Sequence, residues 1–332
     1  MGKKTVSIVV PMYNERDSLE ILYQELNKVT EPLTAYSFEY LFVNDGSTDD
    51  TLAVIRGLAQ KDLRVHYVSF SRNFGKEAAL YAGLKEARGD YVATLDADLQ
   101  DPPKLLPEML RIMEEGECDN VAARRTDRKG EPPIRSFFAR CFYRLMRRLS
   151  RMEIADGARD YRLMNRTMVD SILSVSEYNR FSKGIFAWVG FETKWLEFEN
   201  VKRSAGETKW GFWKLVRYSF DGIINFSDVP IRISSYLGLL LTLLSFIAIV
   251  VEVVRALVFG DPVAGWPSLV CIITFIGGIQ LFCMGIMGQY IAKTYMEVKH
   301  RPHYIIKESN IDGESKLLYN ESVCIHSDSE KG

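Results

Sequence analysis

Cysteine is scarce in this chain and poorly placed for covalent or metal chemistry. The five residues in 332, Cys118, Cys141, Cys271, Cys283 and Cys324, show no CxxC spacing, and two lie inside apolar runs. That scatter argues against a disulfide-stapled scaffold and offers no zinc site, so reduced thiols in a cytosolic or bilayer setting are expected. An excess of one charge is missing too. Lys and Arg total 42 against 43 Asp and Glu, a net charge of -1, which argues against a nucleic-acid partner but leaves room for local basic surfaces. The opening MGKKTVSIVVPMYNE has too short an apolar stretch for a secretory signal, and the N-terminal region is expected to stay in the cytoplasm. Length is not lacking: the chain can hold one α/β domain with its own core plus something smaller.

Short β-branched runs at 6–10, 39–43, 65–70 and 91–95 alternate with helical patterns near 18–29, 50–60, 76–87 and 104–114. That alternation predicts a Rossmann-like α/β fold with a mainly parallel sheet covered on both faces. Ligands bind such sheets at the carboxyl ends of the strands. The polar clusters PMYNE at 11–15, NDGS at 44–47, SRNFGK at 71–76 and DAD at 96–98 all fall on that edge.

The segment 134–152 places Phe138, Phe142, Leu145, Leu149 and Met152 at helical spacing beside Arg140, Arg144, Arg147, Arg148 and Arg151. It reads either as an interfacial helix on a membrane surface or as a packed helix with a solvated basic face. Residues 233–251 form a run of 19 without a charge and 262–292 another of 31, each long enough to cross a hydrocarbon core of about 30 Å. A short connector makes them a hairpin. Arg217 and Arg232 precede it and Lys293, Lys299, His300 and Arg301 follow it, which places both termini in the cytoplasm.

The expected organisation is therefore a cytoplasmic catalytic domain at 1–230, with interfacial helices near 134–152 and 211–226. A transmembrane hairpin at 231–292 has spans at about 233–254 and 267–292, and a polar C-terminal tail at 293–332 is expected to lack order beyond about residue 307. A lone hairpin beside a large soluble domain also points to a homo-oligomer packed through its helices.

Asp96 and Asp98, at alternate positions past a buried strand, can both reach one cation. Hard oxygen ligands suit Mg2+ or Mn2+ holding a diphosphate, although acidic pairs are also common in plain loops. Asp101, followed by two prolines and a helical run, reads as an N-cap. NDGSTD at 44–49 is a turn able to read a base or ribose, or a simple strand-to-helix turn capped by Ser47 or Asp49. Tyr13 can stack on a base, while Glu15 and Asp17 also favour the first turn of a helix.

Arg124, Arg128 and Arg135 lie between the acidic loop and the basic helix, where a guanidinium is suited to bidentate contact with a phosphate; the alternative for each is a solvated surface charge. Trp188, Trp195 and Trp210 read as core or interface packing rather than sugar platforms.

In this order, PMYNE at 11–15, NDGSTD at 44–49 and DADLQDPP at 96–103 resemble the family 2 glycosyltransferases of the GT-A fold. The finer resemblance is to the polyprenyl-phosphate branch, which includes dolichol-phosphate mannose synthase and the bactoprenol glucosyltransferases. SRNFGK at 71–76, DYRLM at 160–164, KGIFAWVGF at 183–191 and RSAGETK at 203–209 extend it over about residues 5–302.

The resemblance implies that Pro11, Tyr13, Glu15 and Asp45 hold the nucleotide and that Asp96, Asp98 and Gln100 surround the metal. It further implies that Asp98 and Asp160 are catalytic, and that Arg203 and Lys209 flank a loop closing over the donor. The implied reaction is inverting transfer of one sugar, preferably glucose from UDP-glucose, to undecaprenyl phosphate at the bacterial plasma membrane. Mannose, an N-acetylhexosamine or a modified pentose is the alternative sugar. Two departures are Asn44, where many relatives carry a second aspartate, and DGARD at 156–160, which lacks the usual glycine before the last aspartate. A processive synthase is disfavoured because QxxRW is absent. Two spans without a buried charge offer little for a transporter, and the acidic loop weighs against a scaffold.

Overall fold

The computed structural model describes residues 2–125, 158–198, 229–259 and 265–311. The expectations for 134–152, 211–226, Arg128, Arg135, Arg203, Lys209 and Trp210 lie outside the described residues. The chain divides into two compact units, Met1–Leu215 with Arg301–Gly332, and Val216–His300.

The first unit opens with the predicted alternation: β1 (Lys4–Met12), α1 (Arg16–Thr30), β2 (Tyr36–Asn44), α2 (Thr51–Lys61), β3 (Val65–Phe70), α3 (Lys76–Glu86) and β4 (Tyr91–Thr94). A 3-10 turn (Pro103–Leu105) leads into α4 (Leu106–Glu114), followed by β5 (Asn120–Arg125), β6 (Ala158–Asn165), α5 (Arg166–Ser174), α6 (Ser182–Trp188) and β7 (Thr193–Phe198). The last described strand is β8 (Ile306–Ser309). The eight described strands form one sheet in the order β7-β5-β6-β4-β1-β2-β3-β8.

The central block, β3-β2-β1-β4, is parallel throughout. β6 runs antiparallel to both β4 and β5. The chain leaves β1 toward β2 and β3, then crosses back to place β4 on the other side of β1, and this reversal opens a crevice at the carboxyl ends. Strand β1 is buried on both faces through Val6, Ile8, Val9 and Val10, as a central parallel strand must be. Fully buried Tyr40, Phe42 and Tyr161 each contribute on the order of 1.5–3 kcal/mol by leaving water. Helix α3 lies close on the sheet because Gly83 has no side chain: a Cβ there would meet Val9 Cγ1 at 2.2 Å.

Two expectations need correction here. The tail beyond about residue 307 is not wholly without order, since β8 pairs antiparallel with β3. The segment is too short to register as a strand in the sequence, but the open edge of β3 supplies the partner. Asn310 fastens the end by accepting from Tyr67 N at 2.6 Å and donating to Val65 O at 3.0 Å, and the ring of Tyr304 stacks on Phe70 at 4.8 Å. Trp188 is 62% exposed, which removes the core half of its expectation and leaves the interface half.

The described residues of the second unit form α7 (Val229–Phe259) and α8 (Trp266–Val298), which touch where Cys283 Sγ donates to Ser234 O at 3.7 Å. Large apolar side chains such as Leu239, Leu243, Phe246, Leu281 and Phe282 point outward. A contiguous surface of that kind needs an apolar partner. Among the described residues, one helical stretch, Phe275–Val298, is long and apolar enough to cross a membrane.

Candidate active site

The loops after β1 and β2 are sewn together by side chains. Asn14, at φ 54, donates from its backbone N to Ser47 Oγ and accepts from Thr48 N through Oδ1. Glu15 N donates to Thr51 Oγ1. The capping expectation for Ser47 or Asp49 resolves in favour of a local turn: Asp49 Oδ1 accepts from Thr51 N and Oγ1, and Ser47 serves Asn14. Gly46 takes φ +62, and a Cβ on it would lie 2.2 Å from the carbonyl carbon of Arg72. That close approach brings the β2 loop against the β3 loop.

Asp45, only 3% exposed, accepts from Phe74 N at 2.6 Å and from Gly75 N at 2.9 Å. Burial pushes its carboxyl up to about 6, against the opposing pull of those two amides and of Arg72. Tyr13, 37% exposed, directly follows β1, which carries Pro11 near its end.

The second half of the site is acidic with cations threaded through it. Lys76, the first residue of α3, places its ammonium 2.6 Å from Asp96 and 2.5 Å from Asp160. Asp96 follows β4 and Asp160 lies on β6, so antiparallel pairing of these strands brings the two carboxylates together. Thr94 Oγ1 adds a 2.5 Å bond to Asp160 O. Burial alone would disfavour every charge here. The cations Lys76 and Lys183 nevertheless hold the Asp160 carboxyl far below the usual carboxylate range, and Asp160 and Asp96 hold the Lys76 ammonium well above its usual range.

Asp98 Oδ1 accepts from Gln100 N at 3.2 Å, and the residue between them, Leu99, takes φ 57. A bulky side chain in the left-handed region is strained, and such strain tends to collect at functional loops. Asp101 is not the expected N-cap. The flanking residue of the 3-10 turn is Pro102, while Asp101 is fully buried and binds Arg159 Nε at 2.6 Å. Burial raises the Asp101 carboxyl, Arg159 pulls it down, and Asp96 and Asp98 push it up again. Gln100 Oε1 accepts from Arg125 Nη2 at 2.7 Å, so its amide oxygen is engaged with the protein. Arg124 stands 3.9 Å from Glu197, a loose contact at the end of β5.

Pro11, Tyr13, Glu15, Asp45, Asp96, Asp98, Gln100 and Asp160 thus share the carboxyl edge of one sheet. Sequence reasoning gave no role to Lys76, Arg125, Arg159 or Lys183. Lys76 had a signal, standing at the end of a strand-edge cluster, whereas Arg159 and Arg125 are defined only by their partners in space.

Among the described residues no group of three or more His, Cys, Asp or Glu side chains is arranged to hold a metal ion. The donor chemistry nonetheless fits one. Asp96 and Asp98 supply two hard oxygens from one loop, and Asp101 adds a buried carboxyl whose Oδ2 has no partner among the described residues. Mg2+ characteristically takes one or two carboxylates and completes its shell with substrate phosphates and water.

Residues 7–173 match the family model described as Glycosyl transferase family 2. The Bacillus subtilis (strain 168) protein CsbB, whose name carries the class glycosyltransferase without a substrate, is 42% identical over 97% of this chain and 97% of its own. The SfII prophage-derived bactoprenol glucosyl transferase of Shigella flexneri is 42% identical over 92% of this chain and 98% of its own. The prophage bactoprenol glucosyl transferase homolog of Escherichia coli (strain K12) is 41% identical over 91% and 98%.

Proposed function

The chain belongs to glycosyl transferase family 2, and from that premise we propose that it moves glucose from UDP-glucose onto the phosphate of a polyprenyl lipid, with inversion at the sugar. The observation that carries this reading is the pair Asp96 and Asp160, bridged by Lys76 at the carboxyl edge of the sheet. It stands in a chain 42% and 41% identical, over 92% and 91% of its length, to two proteins named for bactoprenol glucosylation.

On this reading Tyr13 stacks on the base, and Asp45 and Glu15 fix the nucleoside at the β1 and β2 loops. A divalent cation held by Asp96 and Asp98, Mg2+ or Mn2+, supplies Lewis-acid stabilisation of the departing nucleoside diphosphate. Asp160, kept ionised by Lys76, orients the sugar and its attacking partner rather than taking a proton. Arg124, with Arg128 and Arg135 in sequence beyond it, is suited to meeting the acceptor phosphate. Arg203 and Lys209 close over the donor.

The outward apolar faces of α7 and α8 support a transmembrane hairpin in the bacterial plasma membrane, with the catalytic unit and both termini cytoplasmic and with copies packed through these helices. In a cysteine-free background, a cysteine at position 264 should label from outside intact cells and one at 322 should not; the opposite pattern overturns this topology.

The test of function is incubation of membranes carrying the protein with a panel of labelled nucleotide sugars and undecaprenyl phosphate. Label from UDP-glucose should enter a lipid product. Lipid label from another sugar alone overturns the choice of donor, and no lipid label from any sugar overturns the reaction.

A further inference from the structure

Away from the acidic centre, a pocket of about 310 Å³ opens between the loop after β3, the start of α3, the segment joining α5 to α6, and the residues following α8. Its walls include Arg72, Phe74, Glu77, Tyr178, Arg180 and His303. Nothing in the reaction proposed above uses it.

The charge of this pocket is one-sided. Arg180 is 8% exposed, and no carboxylate forms an ion pair with it among the described residues. Its Nη atoms donate to Val175 O and Ile172 O at the end of α5, but carbonyls offer only part of a negative charge. Its buried Nε has no partner among the described residues. Its ring neighbour Tyr81, 4.4 Å from the guanidinium carbon, holds the group in place. Arg72 is fixed in a similar way over Phe74, at 4.0 Å. The one acid in the wall, Glu77, spends its carboxylate on Ser182 N and Oγ, and burial raises its pKa toward the neutral form. A guanidinium taken out of water without a full counter-charge is unfavourable, and an entering anion with several acceptor oxygens restores the balance.

We infer that this pocket binds a phosphate group, with Arg72 and Arg180 as its charged donors, His303 as a third polar contact and the Phe74 and Tyr178 rings as its apolar walls. Phosphate suits the fork of a guanidinium better than a halide does, because two N–H groups meet two oxygens. The group can arrive on a phospholipid headgroup or as a soluble phosphate, and the two sources are separable by experiment.

The full chain is placed in phosphatidylcholine nanodiscs and titrated with inorganic phosphate while its thermal midpoint is followed. The midpoint should rise with phosphate. The half-saturation concentration should be at least about tenfold higher for the double variant R72Q/H303Q, the scale of one lost charged hydrogen bond, and intermediate for Arg72→Gln, whose side chain is exposed. It should be unchanged in Asp98→Asn.

Nanodiscs containing phosphatidylglycerol separate the sources. A headgroup occupant raises the midpoint of the unmodified chain, but not of the double variant, without added phosphate. A soluble occupant leaves the midpoint indifferent to lipid. A phosphate response equal in the unmodified chain and the double variant, or no response to phosphate or to anionic lipid, overturns the site.

Discussion

The ammonium of Lys76 lies 2.5 Å from Asp160 Oδ2, across 84 residues of sequence. The same nitrogen meets Asp96, so one cation joins the loop that would hold the metal to the strand that carries the candidate catalytic carboxylate. Two partly buried carboxylates cannot both stay ionised at close range without such a partner.

Replacing Lys76 by Met should therefore let one carboxyl of the pair rise toward its usual range. The acidic limb of the pH–rate profile should move to higher pH, and kcat/KM at neutral pH should fall by roughly 10²-fold, the scale of losing one preorganised charged group. The sign follows from Asp160. Its pKa is depressed in the folded chain, so its ionised form is favoured above the ordinary value, and that advantage drains away as pH falls. An acidic limb that stays in place in the Met variant contradicts this account.

Asp98 Oδ1 accepts from Gln100 N within its own loop. Asp98→Asn keeps that bond and removes a charge. The thermal midpoint should change little, while activity falls by at least about 10²-fold, and excess EDTA should stop turnover in the unmodified chain. Full turnover in EDTA excludes the metal role of this loop.

Asp45 gives a stability signature. Its pKa is raised to about 6, so between about pH 4 and 6 the folded state binds more protons than the unfolded one and stability from this group falls as pH rises. Asn at this position accepts from the Phe74 and Gly75 amides without titrating. The midpoint of the unmodified chain relative to Asp45→Asn should thus be higher at pH 5 than at pH 7. A difference between the two proteins that is constant with pH shows that Asp45 keeps an ordinary ionisation.

Strong two-state periodicity made the first four strands and helices legible in the sequence: runs such as 65–70 reappear as β3 with unchanged ends. The site was legible to the extent that chemistry sits next to strand ends, as at Asp96 and Asp98. What stayed hidden depends on partners distant in sequence. Asp101 has every local mark of a cap, yet a half-buried Arg159 58 residues away takes its carboxylate. β8 is four residues with no pattern of its own, and only the uncovered edge of β3 makes it a strand. Lys76 reads as one more helix-start lysine until β4 and β6 are seen to pair antiparallel.

Asp160 decides between two accounts of the chemistry. A sugar hydroxyl must lose a proton to become a good nucleophile, and inverting transfer to such an acceptor needs a general base. A lipid phosphate has its second ionisation near pH 6, so at neutral pH the attacking oxygen is already charged and needs placement more than deprotonation. The environment of Asp160 fits the second case. A carboxylate held far below its usual range by Lys76 and Lys183 is a weak base, poorly matched to removing a proton at neutral pH. Asp160→Asn should accordingly lose rate by misplacing Lys76 and the sugar, and its residual rate should follow the ionisation of the acceptor phosphate, levelling off above about pH 7. A residual rate that keeps climbing well above that ionisation, as hydroxide replaces a missing base, would show that Asp160 takes the proton after all.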